Sequence, residues 1–533
     1  MVRLLHELIL EQANSHPDAI AIVHRQTSLN YATLAYQIQA VARGLLALGL
    51  NRSERVAVYL PKRLETVAAL FGAAFAGGVF VPVNPLLKPD QVAYILRDCN
   101  VRVLITTRDR ADLLAPLLAN CPDLHTLALV DAESAETALP QPIRHFQTIS
   151  WPILLAAESA RSPASAIDTD MAAILYTSGS TGKPKGVVLS HRNMLTGAYS
   201  VAEYLGNRAD DRILAVLPFS FDYGLSQLTT AFVVGARVVL MDYLLPRDVI
   251  TTVAREGITG LAAVPPMWVQ LAQPEWPTAA VDSLRYITNS GGAMPRATLT
   301  ALRRALPKTT PYLMYGLTEA FRSTYLPPEE IDRRPDSIGK AIPNAEILVV
   351  REDGTPCAPG EPGELVHRGS LVALGYWNDP AKTAERYRPA PGQNPGLPLI
   401  ELAVWSGDTV RMDEDGFLYF IGRKDDMIKT SGYRVSPTEI EEVLYGSGQI
   451  AEAAALGIPH PALGQAIIAV VKPLHDGFNE NELINHCKRQ LPNFMVPLQI
   501  IARQTDLPRN PNGKIDRKSL VEELRDRFPE VSP

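Results

Sequence analysis

Chemistry is first suggested by an eleven-residue run, YTSGSTGKPKG, from Tyr176 to Gly186. Its glycines, Gly179, Gly182 and Gly186, let the backbone approach a ligand closely and adopt positive φ, so successive amides can point at an oxyanion. Thr177, Ser178, Ser180 and Thr181 add hydroxyl donors, and Lys183 and Lys185 add positive charge. Together they suit a phosphate-bearing ligand. The run is not the GxxxxGK[ST] phosphate loop, because Lys183 is followed by Pro184 and position 177 is Thr. A plain surface loop has the same Gly/Ser/Thr composition, so the surrounding elements must decide.

Those elements alternate. Apolar, β-branched runs at Val56 to Leu60, Val79 to Val83, Val101 to Thr106, Ile213 to Leu217, Val238 to Met241 and Leu261 to Val264 are separated by helical patterns. Such alternation predicts βαβ units and a largely parallel sheet covered on both faces. The glycine run follows a strand-like Ala172 to Leu175. The stretch from Phe80 resembles that from Val238 at an offset of 158, matching Leu86 to Leu244, Asp90 to Asp248 and Arg97 to Arg255, which predicts two related α/β lobes. From about Ile338 the pattern changes to short strands and turns, including a hairpin at Asp415-Gly416, and predicts a β-rich third lobe. Beyond it a helix is expected from about Pro437 to Tyr445, capped by Ser436. The fold class is therefore α/β: a large N-terminal domain (residues 1–422) of two related lobes plus a β-rich lobe, a hinge at 423–426, and a small mobile α+β C-terminal domain at 427–533.

Composition narrows the classes. The chain has 533 residues and a net charge of −6, with 46% hydrophobic residues, which excludes wholesale disorder and a protein devoted to coating nucleic acid. Cys99, Cys121, Cys357 and Cys487 form no CxxC pair, so no zinc knuckle or redox dithiol is indicated and a reducing, cytoplasmic compartment is expected. At the N-terminus Leu4, Leu5, Leu8 and Ile9 share a helical stripe interrupted by Glu7 and Glu11, unlike a signal peptide. The uncharged stretch from Thr66 to Asn84 is the one membrane candidate, and Gly72, Gly77, Gly78 and Pro82 make it a buried helix, a turn and a strand instead. GxSxG is absent, and His6-Glu7 has Leu10 where HExxH needs its second histidine, so serine and zinc hydrolases lack support.

Further motifs accompany the glycine run: NSGGAMP (Asn289 to Pro295), YGLTE (Tyr315 to Glu319), SGD (Ser406 to Asp408), GRKDD (Gly422 to Asp426), KTSGYRVSPTEIE (Lys429 to Glu441) and NPNGKIDR (Asn510 to Arg517). In this order, from roughly Leu5 to Leu520, the sequence resembles the AMP-forming adenylating enzymes: acyl-CoA and aryl-CoA synthetases, adenylation domains of nonribosomal peptide synthesis, and beetle luciferases. The resemblance implies two reactions. A carboxylate and ATP first give an acyl-adenylate and pyrophosphate, and the acyl group then passes to a thiol. It assigns the glycine run to the β- and γ-phosphates, Glu319 to Mg²⁺, and Thr318 to the α-phosphate. It places adenine against Gly291, Gly292 and Ala293 with Tyr315 on the other face, the ribose hydroxyls on Asp408, and Arg423 at the ribose or phosphate edge. Lys514 would bridge substrate carboxylate and α-phosphate; Lys429 would serve the thiol step after rotation about Asp425.

The acyl pocket departs from one branch of the family. Many fatty and aromatic acyl-CoA synthetases carry a histidine in a PxFHxxG stretch, whereas Leu217 to Gly224 reads LPFSFDYG, with Phe221 and Asp222. This looks more like amino-acid-activating domains, whose Asp pairs with the substrate ammonium. Asp222 could equally cap a helix beginning at Tyr223, or pair with Arg322, and a pocket-lining Arg322 would admit a second acidic or polar substrate group. The implied reactants are ATP, Mg²⁺, a small carboxylic or amino acid, and a phosphopantetheine thiol. With 19 residues after Lys514, that thiol is expected in trans, on CoA or a separate carrier protein, with no nucleic-acid partner and no membrane span. A nucleotide-binding regulatory protein without turnover is the alternative of another class, and luciferase-like oxidation is open to the fold.

Overall fold

Every apolar run named above becomes a strand, and the strands sort into three sheets. The structure, a computed structural model, describes residues 2–132, 146–163, 165–177, 184–243, 245–423, 427–430, 433–460, 463–475, 477–510 and 513–528. In an eight-stranded sheet, Arg55–Tyr59 lies between Val79–Pro82 and Val101–Thr106, parallel to both. In a second sheet of 14 strands, Arg212–Ala215 lies in the same way between Arg237–Leu240 and Gly260–Ala263. The repeat is therefore real and longer than the sequence similarity. Strand, helix, strand, helix, strand recurs with the same strand order, and the helices Leu64–Phe75 and Asp222–Val234 occupy corresponding places. These two helices lie in one core, where Phe71 and Phe232 meet edge to face at 5.5 Å.

The β-rich lobe is not a separate layer. Ser337–Ala341 pairs antiparallel with Thr324–Leu326 on one side and Leu418–Arg423 on the other, so the lobe extends the second sheet. Its expected hairpin joins Leu402–Met412 to Leu418–Arg423, with Gly416 at φ +81°. The third sheet begins at Ile428 and has five strands. One face packs under the helices Pro437–Gly446 and Glu480–Gln490, the other under Arg517–Leu524. Ser436 precedes Pro437–Gly446 in extended conformation, but its buried hydroxyl makes no hydrogen bond to the first turn, so the expected cap is not formed.

At the N-terminus, Leu5, Leu8 and Ile9 are buried beneath the helix Glu7–Ser15. Leu5 N–H donates to His191 Nδ1 at 3.0 Å, and His6 lies 4.7 Å from the Phe75 ring. Burial holds both imidazoles down to about 4. The stretch from Thr66 forms the helix Leu64–Phe75, a turn with Gly77 at φ +80°, and the strand Val79–Pro82. No helix among the described residues is long and apolar enough to cross a membrane. The four cysteines are unpaired.

Candidate active site

The ends of parallel strands, where successive chain crossovers open a crevice, collect the motifs. The strand Met171–Thr177 delivers the glycine run, of which Ser178, Gly179, Ser180, Thr181, Gly182 and Lys183 lie outside the described residues. Thr177 pairs with Lys185 across the antiparallel return. Lys185 Nζ sits 5.4 Å from the Tyr376 ring centre, and the Tyr376 hydroxyl donates to Glu319 Oε1 at 2.6 Å. One end of the glycine run and the expected metal ligand are thus neighbours. Among the described residues no cluster of three or more His, Cys, Asp or Glu forms a metal cage. A half-buried Glu319 fits Mg²⁺, which is content with one or two carboxylates when phosphate oxygens complete its shell. Arg386, which the sequence reading missed, donates to Trp405 O at 2.8 Å and interacts electrostatically with both Glu319 and Asp408.

The expected nucleoside end is built from two hairpin strands and a turn. Asp408 on Leu402–Met412 is 3% exposed; the Tyr315 hydroxyl donates to it, and Arg423 Nε lies 3.2 Å from Oδ1. Burial pushes the Asp408 carboxyl up, against the pull of Arg423 and Tyr315. Oδ1 nonetheless accepts no well-directed hydrogen bond, the state of an acceptor that suits a ribose hydroxyl. The turn after Tyr286–Asn289 is tied by Asn289 Nδ2, which donates to Gly292 O at 3.0 Å. Gly291 adopts φ +82°, and a Cβ there would stand 3.2 Å from Lys514 Cε. The bare backbone at Gly291 therefore makes room for the lysine, and neighbouring Gly292 and Ala293 are exposed.

Lys514 reaches this place from the C-terminal unit. Its hairpin is closed by Asn510 N–H to Lys514 O at 2.8 Å and by Arg509 Nη1 to Gly513 O at 2.8 Å. Buried Glu452 grips Arg509 and accepts from Leu507 N–H at 2.7 Å. The Lys514 ammonium stands 5.8 Å from the centre of the Phe221 ring. Burial, followed by Arg423, lowers its pKa, while Asp222, Asp408 and Glu319 pull the other way. Lys429 is exposed on Ile428–Thr430, where its N–H donates to Gln465 Oε1 at 2.6 Å. Of the two lysines, Lys514 is thus the one gathered with the three carboxylates. Asp425 lies outside the described residues.

Phe221 and Asp222, expected at the acyl pocket, are both buried. The helix Asp222–Val234 starts at Asp222 itself, so Asp222 does not cap a helix beginning at Tyr223. Its carboxylate, 4% exposed, accepts from the Thr318 hydroxyl at 3.0 Å and lies 3.9 Å from Arg322 Nη1. Burial raises its pKa, with Arg322 opposing. Arg322 is aimed here by a strained neighbour: Phe321 holds φ +55°, ψ −45° with its ring over Gly197, where any Cβ would come within 2.3 Å of that ring. Further along the same helix, Tyr223, Ser226, Gln227 and Thr230 line one cavity, which Arg322 also walls. Their i, i+3, i+4, i+7 spacing is a polar stripe on a helix buried from Asp222 to Phe232, a signal present in the sequence and missed there.

The fold agrees with comparisons to known proteins. The profile of the AMP-binding enzyme family matches residues 9–377, and that of the AMP-binding enzyme C-terminal domain matches 439–514. The chain belongs to the AMP-binding enzyme family. It is 31% identical to a linear gramicidin synthase protein of Brevibacillus parabrevis over 97% of its own length but spans only 6% of that protein. It is 30% identical to the L-proline--[L-prolyl-carrier protein] ligase of Pseudomonas fluorescens, covering 98% of this chain and 100% of that one. It is also 30% identical to a long-chain-fatty-acid--CoA ligase of Salmonella typhimurium, covering 98% and 94%. Among solved structures, an anthranilate CoA ligase in complex with anthranoyl-AMP superposes with a TM-score of 0.86 at 25% identity, over 98% of this chain and 97% of that one.

Proposed function

We propose that this enzyme joins a carboxylic acid to ATP as an acyl- or aminoacyl-adenylate and then transfers the acyl group to a phosphopantetheine thiol, on coenzyme A or a carrier protein, with an amine-bearing acid held through Asp222 as substrate. The observation that carries the adenylating half is the seat of Lys514, against Gly291 and with its ammonium 5.8 Å from the centre of the Phe221 ring. In that step a carboxylate oxygen forms a bond to the α-phosphorus and the bond to the β-phosphate oxygen breaks, releasing pyrophosphate. Two anions must meet, and the Lys514 ammonium lowers their repulsion. Mg²⁺ at Glu319 supplies neutralisation of phosphate charge. Asp408 holds the ribose, and Gly291 leaves room for both lysine and base. In the second step the thiol sulfur bonds to the acyl carbon, AMP leaves, and the thiol proton is lost; Lys429 serves here once the C-terminal unit has turned.

Amine recognition is supported by the state of Asp222. It is buried with one hydroxyl donor, and Arg322 stands at ion-pair rather than hydrogen-bond distance, leaving the carboxylate able to accept an ammonium. The same 3.9 Å separation favours a second reading, an ordinary acyl-CoA synthetase in which Arg322 is simply the counter-ion of Asp222. Mg²⁺-dependent exchange of pyrophosphate into ATP separates them. With Asp222→Ala, activation of an amino acid should fall far more than activation of its deaminated analogue; equal loss refutes the amine role. Silence of the native enzyme across a broad acid panel would instead favour a nucleotide-binding protein without turnover.

A further inference from the structure

Arg322 is 1% exposed, yet its Nε and Nη2 have no hydrogen-bond partner among the described residues. Gln227, 4% exposed, leaves both its Oε1 and its Nε2 equally without one. Both side chains line the same small cavity, walled also by Tyr223, Thr288 and Met314. The other hydroxyls at that level are engaged: Tyr223 and Thr288 share a hydrogen bond of 2.5 Å, and the Tyr223 ring lies 4.8 Å beneath the guanidinium. Buried donors left unmade are costly, and a guanidinium offers a planar fork matched to a carboxylate. Charge balance points the same way. Asp222 and Arg322 cancel as a pair, so an ammonium that takes Asp222 leaves one buried positive charge unanswered.

Resting on the Asp222 reading above, we infer that the substrate is an amino dicarboxylic acid: its reacting carboxylate faces Lys514, its ammonium meets Asp222, and its side-chain carboxylate enters the cavity to accept from Arg322 and the Gln227 amide. Selectivity should be steep, because a site whose buried donors await an anion rejects an analogue that cannot satisfy them. The test is pyrophosphate exchange by the full-length enzyme with Mg²⁺-ATP and matched acids. Aspartate or glutamate should exceed asparagine or glutamine at least tenfold in kcat/KM, and Arg322→Gln should collapse that ratio toward one. Should that variant fail to fold, the native panel still decides, and Gln227→Leu should raise KM for the acidic substrate more than it changes kcat. Neutral amino acids activated as well as acidic ones would overturn the inference and leave the Asp222 reading standing. Succinate or glutarate matching aspartate or glutamate would overturn the Asp222 reading and keep the anion site. Activation restricted to monocarboxylic acids without an amine would overturn both.

Discussion

Replacing Lys514 by alanine isolates the charge on which the proposed adenylation turns. The substitution removes the ammonium but leaves its hairpin closed, since Arg509, Asn510 and Glu452 hold the backbone rather than the side chain. A unit charge about 4 Å from an anion at an effective dielectric near 20 is worth roughly 4 kcal/mol. Loss of one preorganised donor in enzyme sites costs about 2.7–4 kcal/mol, so a fall of about 10²–10³ in the exchange rate is expected. Lys429→Ala should do the opposite, sparing exchange and depressing thioester formation from the adenylate. The two half-reactions are read separately, by pyrophosphate exchange and by thioester yield from adenylate supplied to the enzyme. Equal loss of both steps in each variant would refute the division of labour, because Lys514 is gathered with the carboxylates here while Lys429 faces solvent.

Glu452→Gln keeps the shape of the clasp on Arg509 but weakens a charged hydrogen bond worth about 1.5–3 kcal/mol; exchange should fall about tenfold while ATP binding by calorimetry is unchanged. Because Lys514 acts protonated and its pKa is lowered, exchange should decline on the alkaline side before the usual lysine range near 10.4, and Lys514→Arg should remove that limb. His6 and His191, both held at about 4, are neutral in the fold, so the unfolded chain binds more protons. Stability should therefore be intact above about 6.5 and be lost as pH falls toward 4, by roughly 3 kcal/mol for each imidazole. Chemical denaturation at pH 7 and 4.5 measures it, and a flat profile would contradict their burial.

Motifs whose chemistry rests on local backbone were legible in the sequence, and so was the parallel alternation, because both are written at short range. The offset of 158 showed part of the repeat: matching residues mark the helices Pro89–Asp98 and Pro246–Glu256, whereas Leu64–Phe75 and Asp222–Val234, which share one core, carry no such match. Gly291 reads as a glycine beside adenine, and its second duty toward Lys514 depends on a contact between residues 223 positions apart in the chain, 514 − 291. No spacing rule encodes it. Arg386 was invisible for the same reason, and the orphaned state of Arg322 depends on how Phe321 turns the chain. Ser436 shows the reverse error, a residue of the right type whose hydroxyl is turned away from the helix it precedes.

The C-terminal unit keeps both of its apolar clusters to itself, for neither includes a residue before Ile428. Among its ties to the larger part is Glu442, which accepts from Arg296 N–H at 3.0 Å. Water can replace a bond of that kind almost without loss, and no oily surface must be wetted from these clusters when the unit departs. If the unit turns as proposed, one lysine is withdrawn and a different one presented without any melting, and the order of events is a matter of docking rather than of refolding.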